Sequence, residues 1–505
     1  MKKIYFLIAA ACLFTEATSL HAEKFKTAGN KTVYSLDGLS AIAESGVTKT
    51  AENEFKVAAD FTISETDTLR LDNNCIVRLD NKITIRIEGY ADFCPKDTAL
   101  ITRVDGTEPK GIQLTGDSAA GAFKKLRFEY ASLKASGKGI DVKHCTFTLA
   151  NGKLASGAID LLSGKSVVEH CAFISNGRAA ISSGANTQAG VIFRYNYLYH
   201  NSTENGNRPQ INMGAPGENS TVISENIVIG DPKNTKVGGI AVANMLGSGG
   251  RNKVIISKNY VTKNRYGITL NGSLNGLIAD NRIVENKYDP NPLTGGSGIS
   301  IASPNNSTTV KITRNHIEDN LWGITVIDTK STKPAESHVN IGRLDLPKSD
   351  PLYNEGGNVL KNNGNNGINY DLYNNTPHKM YAQGNVWNVA AQDSASIESV
   401  VFHANDKDLK TTTKLPLGEV IYWHPSMQTG LETVAPAAPM AWISLDRNLQ
   451  LPELVASLKL YRMDGNLCIE ASHTRSLRLG SLPAGVYILE VSKGQNLQRQ
   501  KIIIP

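Results

Sequence analysis

The sequence predicts an all-β chain: a solenoid of stacked short strands followed by a small separate β domain. Three observations carry this. One polar position recurs down the middle of the chain, with apolar residues at fixed offsets on both sides. A Gly-Ile-x-aliphatic segment recurs beside it. After the Pro- and Ala-rich stretch "ETVAPAAPMA" the pattern changes to that of β-hairpins.

The recurring polar position is Cys145, Cys171, Asn196, Asn226, Asn259, Asn281 and Asn315, at spacings of 26, 25, 30, 33, 22 and 34. Three residues before each anchor stand Val142, Val168, Phe193, Ile223, Ile256, Ile278 and Ile312; two residues after stand Phe147, Phe173, Leu198, Val228, Val261, Ile283 and Ile317. Five after, the register gives Asn176, Asn201, Asp231, Asn264, Asn286 and Asn320, with Ala150 in the first repeat. The third segment runs Gly239-Ile240-Ala241-Val242, Gly267-Ile268-Thr269-Leu270, Gly298-Ile299-Ser300-Ile301 and Gly323-Ile324-Thr325-Val326. Strands this short cannot bury an apolar face alone, but stacked coil on coil they can. Insertions go into loops, so the spacing varies while the strands stay in register. Asn is expected to supply the left-handed backbone of the tight turn and to bond the same amide one coil above. Cys145 and Cys171 should lie one above the other as buried free thiols, since their parallel side chains oppose a disulfide dihedral. Helical repeats fit poorly, because Gly interrupts every unit.

This pattern resembles the parallel β-helix repeat of pectate lyases and related polysaccharide lyases and hydrolases, with "ISKNYVTKNRYGITL" and "ITRNHIEDNLWGITV" as its clearest copies. The resemblance covers 54–387 at the level of the repeat and implies a right-handed parallel β-helix. "TLRLDNNCIVRLDNKITIRIEG" reads as the first coils after a cap region at 23–53. "AQGNVWNV" and the segment up to residue 430 read as the closing coil and cap, with Trp387 turned inward.

The C-terminal segment follows a linker at 431–441. "LKLYRMDGNLCIEA" alternates around an Asp464-Gly465 turn, "LPAGVYILEV" opens on a turn into a strand, and "RQKIIIP" ends the chain. In that order the three pieces resemble the type A sorting domain of the type IX secretion system, most specifically at 482–491. The opening departs from the family's Tyr-Pro-Asn-Pro-like start, with Pro439-Met440-Ala441-Trp442 in its place. The resemblance implies a small β-sandwich at 442–505 that is recognised by the secretion machinery. A generic sugar-binding or accessory β module is the competing reading.

At the other end, Lys2 and Lys3 precede an apolar run over 4–14 and a cleavage-like Leu20-His21-Ala22, so 1–22 reads as a signal peptide. No later stretch is long and apolar enough to span a membrane. The expected location is therefore secreted or on the outer-membrane surface, by way of the periplasm. With 53 basic against 47 acidic side chains and no long run of either sign, the chain lacks the signature of a nucleic-acid binder. Five cysteines remain after the signal, with no CxxC, which argues against a zinc site or a disulfide framework. No cofactor is indicated, and "YDPNP" and "DPKN" carry too few carboxylates to support calcium.

Function has to come from a site on this scaffold. Hydrolases of this fold need converging carboxylates, and the sequence has no Asp-Asp pair, Asn-Thr-Asp or Gly-His-Gly. A lyase needs a base beside a uronate and a cation to hold its charge, a looser pattern. The outward positions of the Gly-Ile strand, Asp160, Asn212, Ala241, Thr269, Ser300 and Thr325, form a small polar stripe that reads as a solvated face. The two residues before the anchor are Lys143-His144, Glu169-His170 and Arg194-Tyr195 on three successive coils. Stacking should bring Lys, Glu and Arg into one column and His, His and Tyr into another: either a base with a charge clamp or a ladder of surface ion pairs. Tyr197, Tyr199, His200, Arg208, Arg251 and Arg265 are candidates for glycan contact on the neighbouring strands and loops. The expected partner is a polysaccharide or surface glycan, processed or simply bound. A non-catalytic adhesin or structural surface protein is the alternative.

Overall fold

The computed structural model describes residues 25–504 other than 186, 247–251, 290, 292–294, 303–307, 329–335, 405, 407–415, 430–440, 445–446, 481 and 495. The signal peptide, Arg251 and all of the linker except Ala441 lie outside the described residues.

Each coil contributes one strand to each of three sheets. In one coil the strands are Gly139–Lys143, Thr146–Thr148 and Gly157–Leu161, and they pair in parallel with Lys165–Glu169, Ala172–Ile174 and Ala179–Ser183 of the next. Among the described residues this repetition builds sheets of 14, 13 and 13 strands, called here sheets one, two and three in coil order, parallel throughout except where Val47–Ala51 joins Glu54–Val57 antiparallel at the start of sheet two. The chain is a parallel β-helix. Side chains alternate along each strand, so the inward positions stack into continuous columns. One of these is the phenylalanine column Phe128, Phe147 and Phe173, with ring centroids 4.6 and 5.1 Å apart. Trp387 lies inward at the closing coil, within the same core.

Sheets one and two are joined by a two-residue turn, and here the structure corrects the sequence reading. The left-handed residue is not the anchor but the one before it: His144, His170, Tyr195, Glu225, Lys258, Asp280 and Arg314 have φ between 52° and 58°. Non-glycine residues adopt that conformation at a cost of about 1–2 kcal/mol each. The anchor amide compensates. Asn226 Nδ2 donates to Asn259 Oδ1 one coil on (2.9 Å) and to the backbone oxygen of Phe193 (3.0 Å), while its backbone N–H reaches Asn259 Oδ1 (3.1 Å). The ladder runs on through Asn315 to Asn358 and Asn385. Cys145 and Cys171 occupy its first two places as buried free thiols.

A second ladder lines the turn between sheets two and three, with one substitution. Asp231 is absent from it. Gln210, from the preceding loop, accepts from Asn201 and donates to Asn264 Oδ1 (3.0 and 2.9 Å). An ionised carboxylate has no N–H to hand on and is costly to bury, so the amide of Gln210 takes the place.

A short helix, Leu36–Ser40, N-capped by Ser35, inserts Leu36 and Leu39 into the first coil's end of the core. At the other end a helix at Ser394–Glu398 inserts Ile397, and Val420–Ile421 adds the last strand of sheet one. No helix among the described residues is long and apolar enough to cross a membrane.

The C-terminal unit is a five-stranded antiparallel sheet: Trp442–Ile443, Asn448–Arg462, Leu467–Arg478, Gly485–Lys493 and Asn496–Ile504. It has its own core, including Leu449, Leu458, Leu460, Tyr487 and Leu489. It rests on the outer face of sheet two.

Candidate functional site

Successive strands of sheet one stand in the register Lys143, Glu169, Arg194, which places the three side chains in one column. Glu169 Oε1 lies 3.1 Å from Lys143 Nζ and Oε2 lies 2.7 Å from Arg194 Nε, so each carboxylate oxygen has its own cation. Asp141 adds a second acidic partner to Lys143 at 3.3 Å. Burial pushes the Glu169 carboxyl up, but the hydrogen bonds from Arg194 and Lys143 outweigh it and hold the group below the usual glutamate value. The column is a closed charge network. Its carboxylate is a poor base and its cations are already engaged.

The neighbouring column is built by the left-handed turn. A residue in that conformation swings its side chain out from the corner between sheets one and two, and successive coils superpose the rings. His144 and His170 stack at 5.1 Å and 18°, and His170 and Tyr195 at 5.0 Å and 13°. Partial desolvation lowers the pKa of both imidazoles, and the His170 neighbour adds to the effect at His144, which favours the neutral form of both rings. A hydrogen bond to Glu225, the next residue of the column, raises the pKa of the Tyr195 phenol, with burial adding to it.

This ring column lines two clefts beneath the C-terminal unit. One, of about 570 Å³, is bordered by Lys125, Arg127, His144, His170 and Trp442. The other, of about 630 Å³, is bordered by His170, Tyr195, Glu225, Lys258 and Trp442. Trp442 divides them. Its Nε1 donates to the backbone oxygen of Tyr195 (3.2 Å), and its ring stacks on Tyr197 at 5.6 Å. The rings border a concave space here, with Lys125 at one end and Lys258 at the other; Asp97 and Glu225 also line it, and Arg127 is paired with Glu129 (2.7 Å).

The other candidates fall in separate places. Tyr197 and Tyr199 point outward from sheet two. Tyr197 is buried under the C-terminal unit, and Tyr199 is covered by Arg475, whose guanidinium lies 4.5 Å from the ring and donates to its hydroxyl (3.1 Å). His200 stacks on Tyr199 at 3.7 Å. Arg208 and Arg265 belong to the turn after sheet two and are tied down locally, Arg208 facing Glu204 (3.8 Å) and Arg265 bonding Asp289 and Asn207. They do not converge on the ring column.

The stripe on sheet three differs from its expected character. Asp160, Ala241, Thr269 and Thr325 do alternate away from the core, yet each is under 9% exposed. Close stacking between neighbouring coils leaves such short side chains little accessible surface, and they bond one another: Ser182 Oγ donates to Asp160 (2.6 Å), and the Ser297 and Thr325 hydroxyls pair at 2.9 Å. This face is largely closed to solvent at those positions.

Sequence reasoning missed Trp442, Arg475, Lys125, Arg127 and Lys258. A signal for the covered face was present: "YLY", "IVI" and "YVT" are apolar on both sides of the strand, as strands buried on two faces are.

No family model matches the chain, and neither does any curated protein. Among solved structures it is similar to a periplasmic alginate epimerase, AlgG, at 13% identity and a TM-score of 0.44, over 77% of this chain and 83% of that one. Two mutant forms of AlgG match at 12% and 0.42 over the same shares. Likeness at this level carries no argument about activity, and the functional reading rests on the chain's own residues.

Proposed function

We propose that this is an exported polysaccharide-binding protein that lays a sugar chain along the His144, His170 and Tyr195 rings, with Lys125, Arg127 and Lys258 as charged flanks. The observation that carries the reading is the ring column itself, one near-parallel ring per coil at 5.1 and 5.0 Å beside two clefts. The stacked rings turn their faces to one another and their edges outward, so imidazole nitrogens and a phenol recur at a constant step along a line, where sugar hydroxyls can hydrogen-bond to them. The flanking cations suit a chain bearing carboxylates.

Removing a proton beside a uronate needs a free base and free cations. Glu169 is bonded by Lys143 and Arg194 together, so neither requirement is met in that column. The charge column thus supplies no lyase chemistry, and binding without catalysis is taken as the leading reading. The test is a panel of uronic-acid polysaccharides, read both by retardation in affinity electrophoresis and by absorbance from unsaturated products. Retardation without new absorbance is expected. Glu169→Gln, which releases Arg194 and leaves Lys143 to Asp141, should tighten binding by about 3-fold at low salt, with the gain lost at high salt. Failure to bind any member of the panel overturns the proposal, and product absorbance that grows with time overturns its non-catalytic part.

For location we infer type IX delivery to the cell surface, on the strength of the leader-like 1–22 and the sorting-like 442–505. Deleting 442–505 should hold the protein in the periplasm; normal surface delivery of the shortened chain would contradict this.

A further inference from the structure

The outer face of sheet two changes character along the solenoid. Early coils present Arg127 and Glu129 and later ones His316 and Glu318, but between them the same two columns carry Tyr197 and Tyr199, then Ile227 and Ile229, then Tyr260. Tyr197, Ile227, Ile229 and Tyr260 form an apolar cluster outside the solenoid's own core, and each is buried. Burial pushes the phenols of Tyr197 and Tyr260 up to about 12. The C-terminal unit covers this face through two pegs: Trp442 stacks on Tyr197, and Arg475, braced by the backbone oxygens of Leu451 and Pro452, lies over Tyr199.

Three features mark this contact as separable. The two units have separate hydrophobic cores. The Trp442 peg stands between two clefts of about 630 and 570 Å³, where an obligate interface would be close-packed. The segment joining the units, "ETVAPAAPMA", is a Pro- and Ala-rich linker by composition. The covered surface is also unlike ordinary solvent-facing sheet. Tyr197 and Tyr199 stand on the same coil as Tyr195 of the cleft, and Tyr260 stands two coils on, with Ile227 and Ile229 between them, so the apolar face adjoins the cleft across the corner between sheets one and two.

We propose that the C-terminal unit is a releasable cover: in the intact chain it occupies an aromatic platform on sheet two that a polysaccharide occupies once the unit is lifted off or cut away. This rests on the polysaccharide-binding reading above and extends it from the cleft to the Tyr197, Tyr199 and Tyr260 face. The intact protein is then a weak binder and the cut one a strong binder.

The experiment places a specific protease site within 430–440 of the full chain and compares the protein before and after cutting. Size exclusion should show the C-terminal unit departing. Affinity for the uronic-acid polysaccharide that binds the intact chain should rise by about tenfold, and Tyr197→Ala with Tyr260→Ala in the cut protein should remove the gain. A C-terminal unit that stays bound after cutting overturns the cover. Release with unchanged affinity, while the intact chain still binds, overturns the platform and leaves the cleft reading standing. Release followed by dimerisation assigns the face to a second copy of the chain instead. Absence of binding in both forms overturns the cleft reading and the platform with it.

Discussion

Asn259→Leu is expected to lower the free energy of unfolding of the solenoid by about 3–5 kcal/mol, read as a shift in the denaturant midpoint. Asn259 is fully buried, and its side chain serves three neighbours at once. Its Oδ1 accepts from the backbone N–H and the Nδ2 of Asn226 (3.1 and 2.9 Å), and its Nδ2 donates to the oxygen of Ile223 and to Asn281 Oδ1 (both 2.9 Å). Leucine has similar bulk and none of these groups. The two Asn226 donors and the Ile223 oxygen are then left in an apolar interior, where each unsatisfied group costs about 1–3 kcal/mol. A loss under about 1 kcal/mol would mean that the ladder is an accessory to the sheets and not what fixes the turn.

Gly267→Ala is expected to cost about 3 kcal/mol, although it adds a single methyl group just before the strand Ile268–Gly272. A Cβ at this position would stand 2.4 Å from the backbone oxygen of Gly298 on the next coil and 2.4 Å from Ile283 Cγ2. The backbone oxygen cannot withdraw without breaking sheet three. The same crowding recurs along the motif, with Gly239 facing the oxygen of Gly267 at 2.5 Å and Gly323 facing that of Asp371 at 2.3 Å. The glycine of Gly-Ile-x-aliphatic is thus set by close approach between coils. Thermal denaturation beside Thr269→Ala, two residues away on the outward side, checks the origin: only the glycine variant should lose much stability.

The fold was legible because its register is one-dimensional. A single aligned polar position places Val142, Val168 and Phe193 inside and Phe147, Phe173 and Leu198 two residues beyond it, and all are buried as that register requires. Errors arose where the third dimension decides. Asp231 holds the ladder's place in sequence, but Gln210 enters from a loop that is adjacent only once the coils have closed. The left-handed residue went unread because His, Tyr, Glu, Lys, Asp and Arg fill it in turn, with no glycine or asparagine to mark it. Its strain is met by a neighbour's amide, so nothing at the residue itself betrays the conformation.

The site was legible in part for the same reason. Lys143, Glu169 and Arg194 share a register position, so their meeting follows from the repeat, and so does the stacking of His144, His170 and Tyr195. What the repeat cannot give is how tightly Glu169 is held, or that a tryptophan 247 residues further along bonds the backbone of Tyr195. Contacts between the solenoid and a separately folded unit leave no periodic trace. The doubly apolar strands around Tyr197 and Ile227 record only that something covers them.

The claim that the ring column is where polysaccharide binds is tested most directly by hydroxyl-radical footprinting of the intact chain with and without a bound uronic-acid polymer. The account predicts protection of His144, His170 and Tyr195, with Trp442 protected beside them and the sheet-three stripe around Ser300 unchanged. Protection centred on that stripe, with the three rings as reactive as in the free protein, would contradict it.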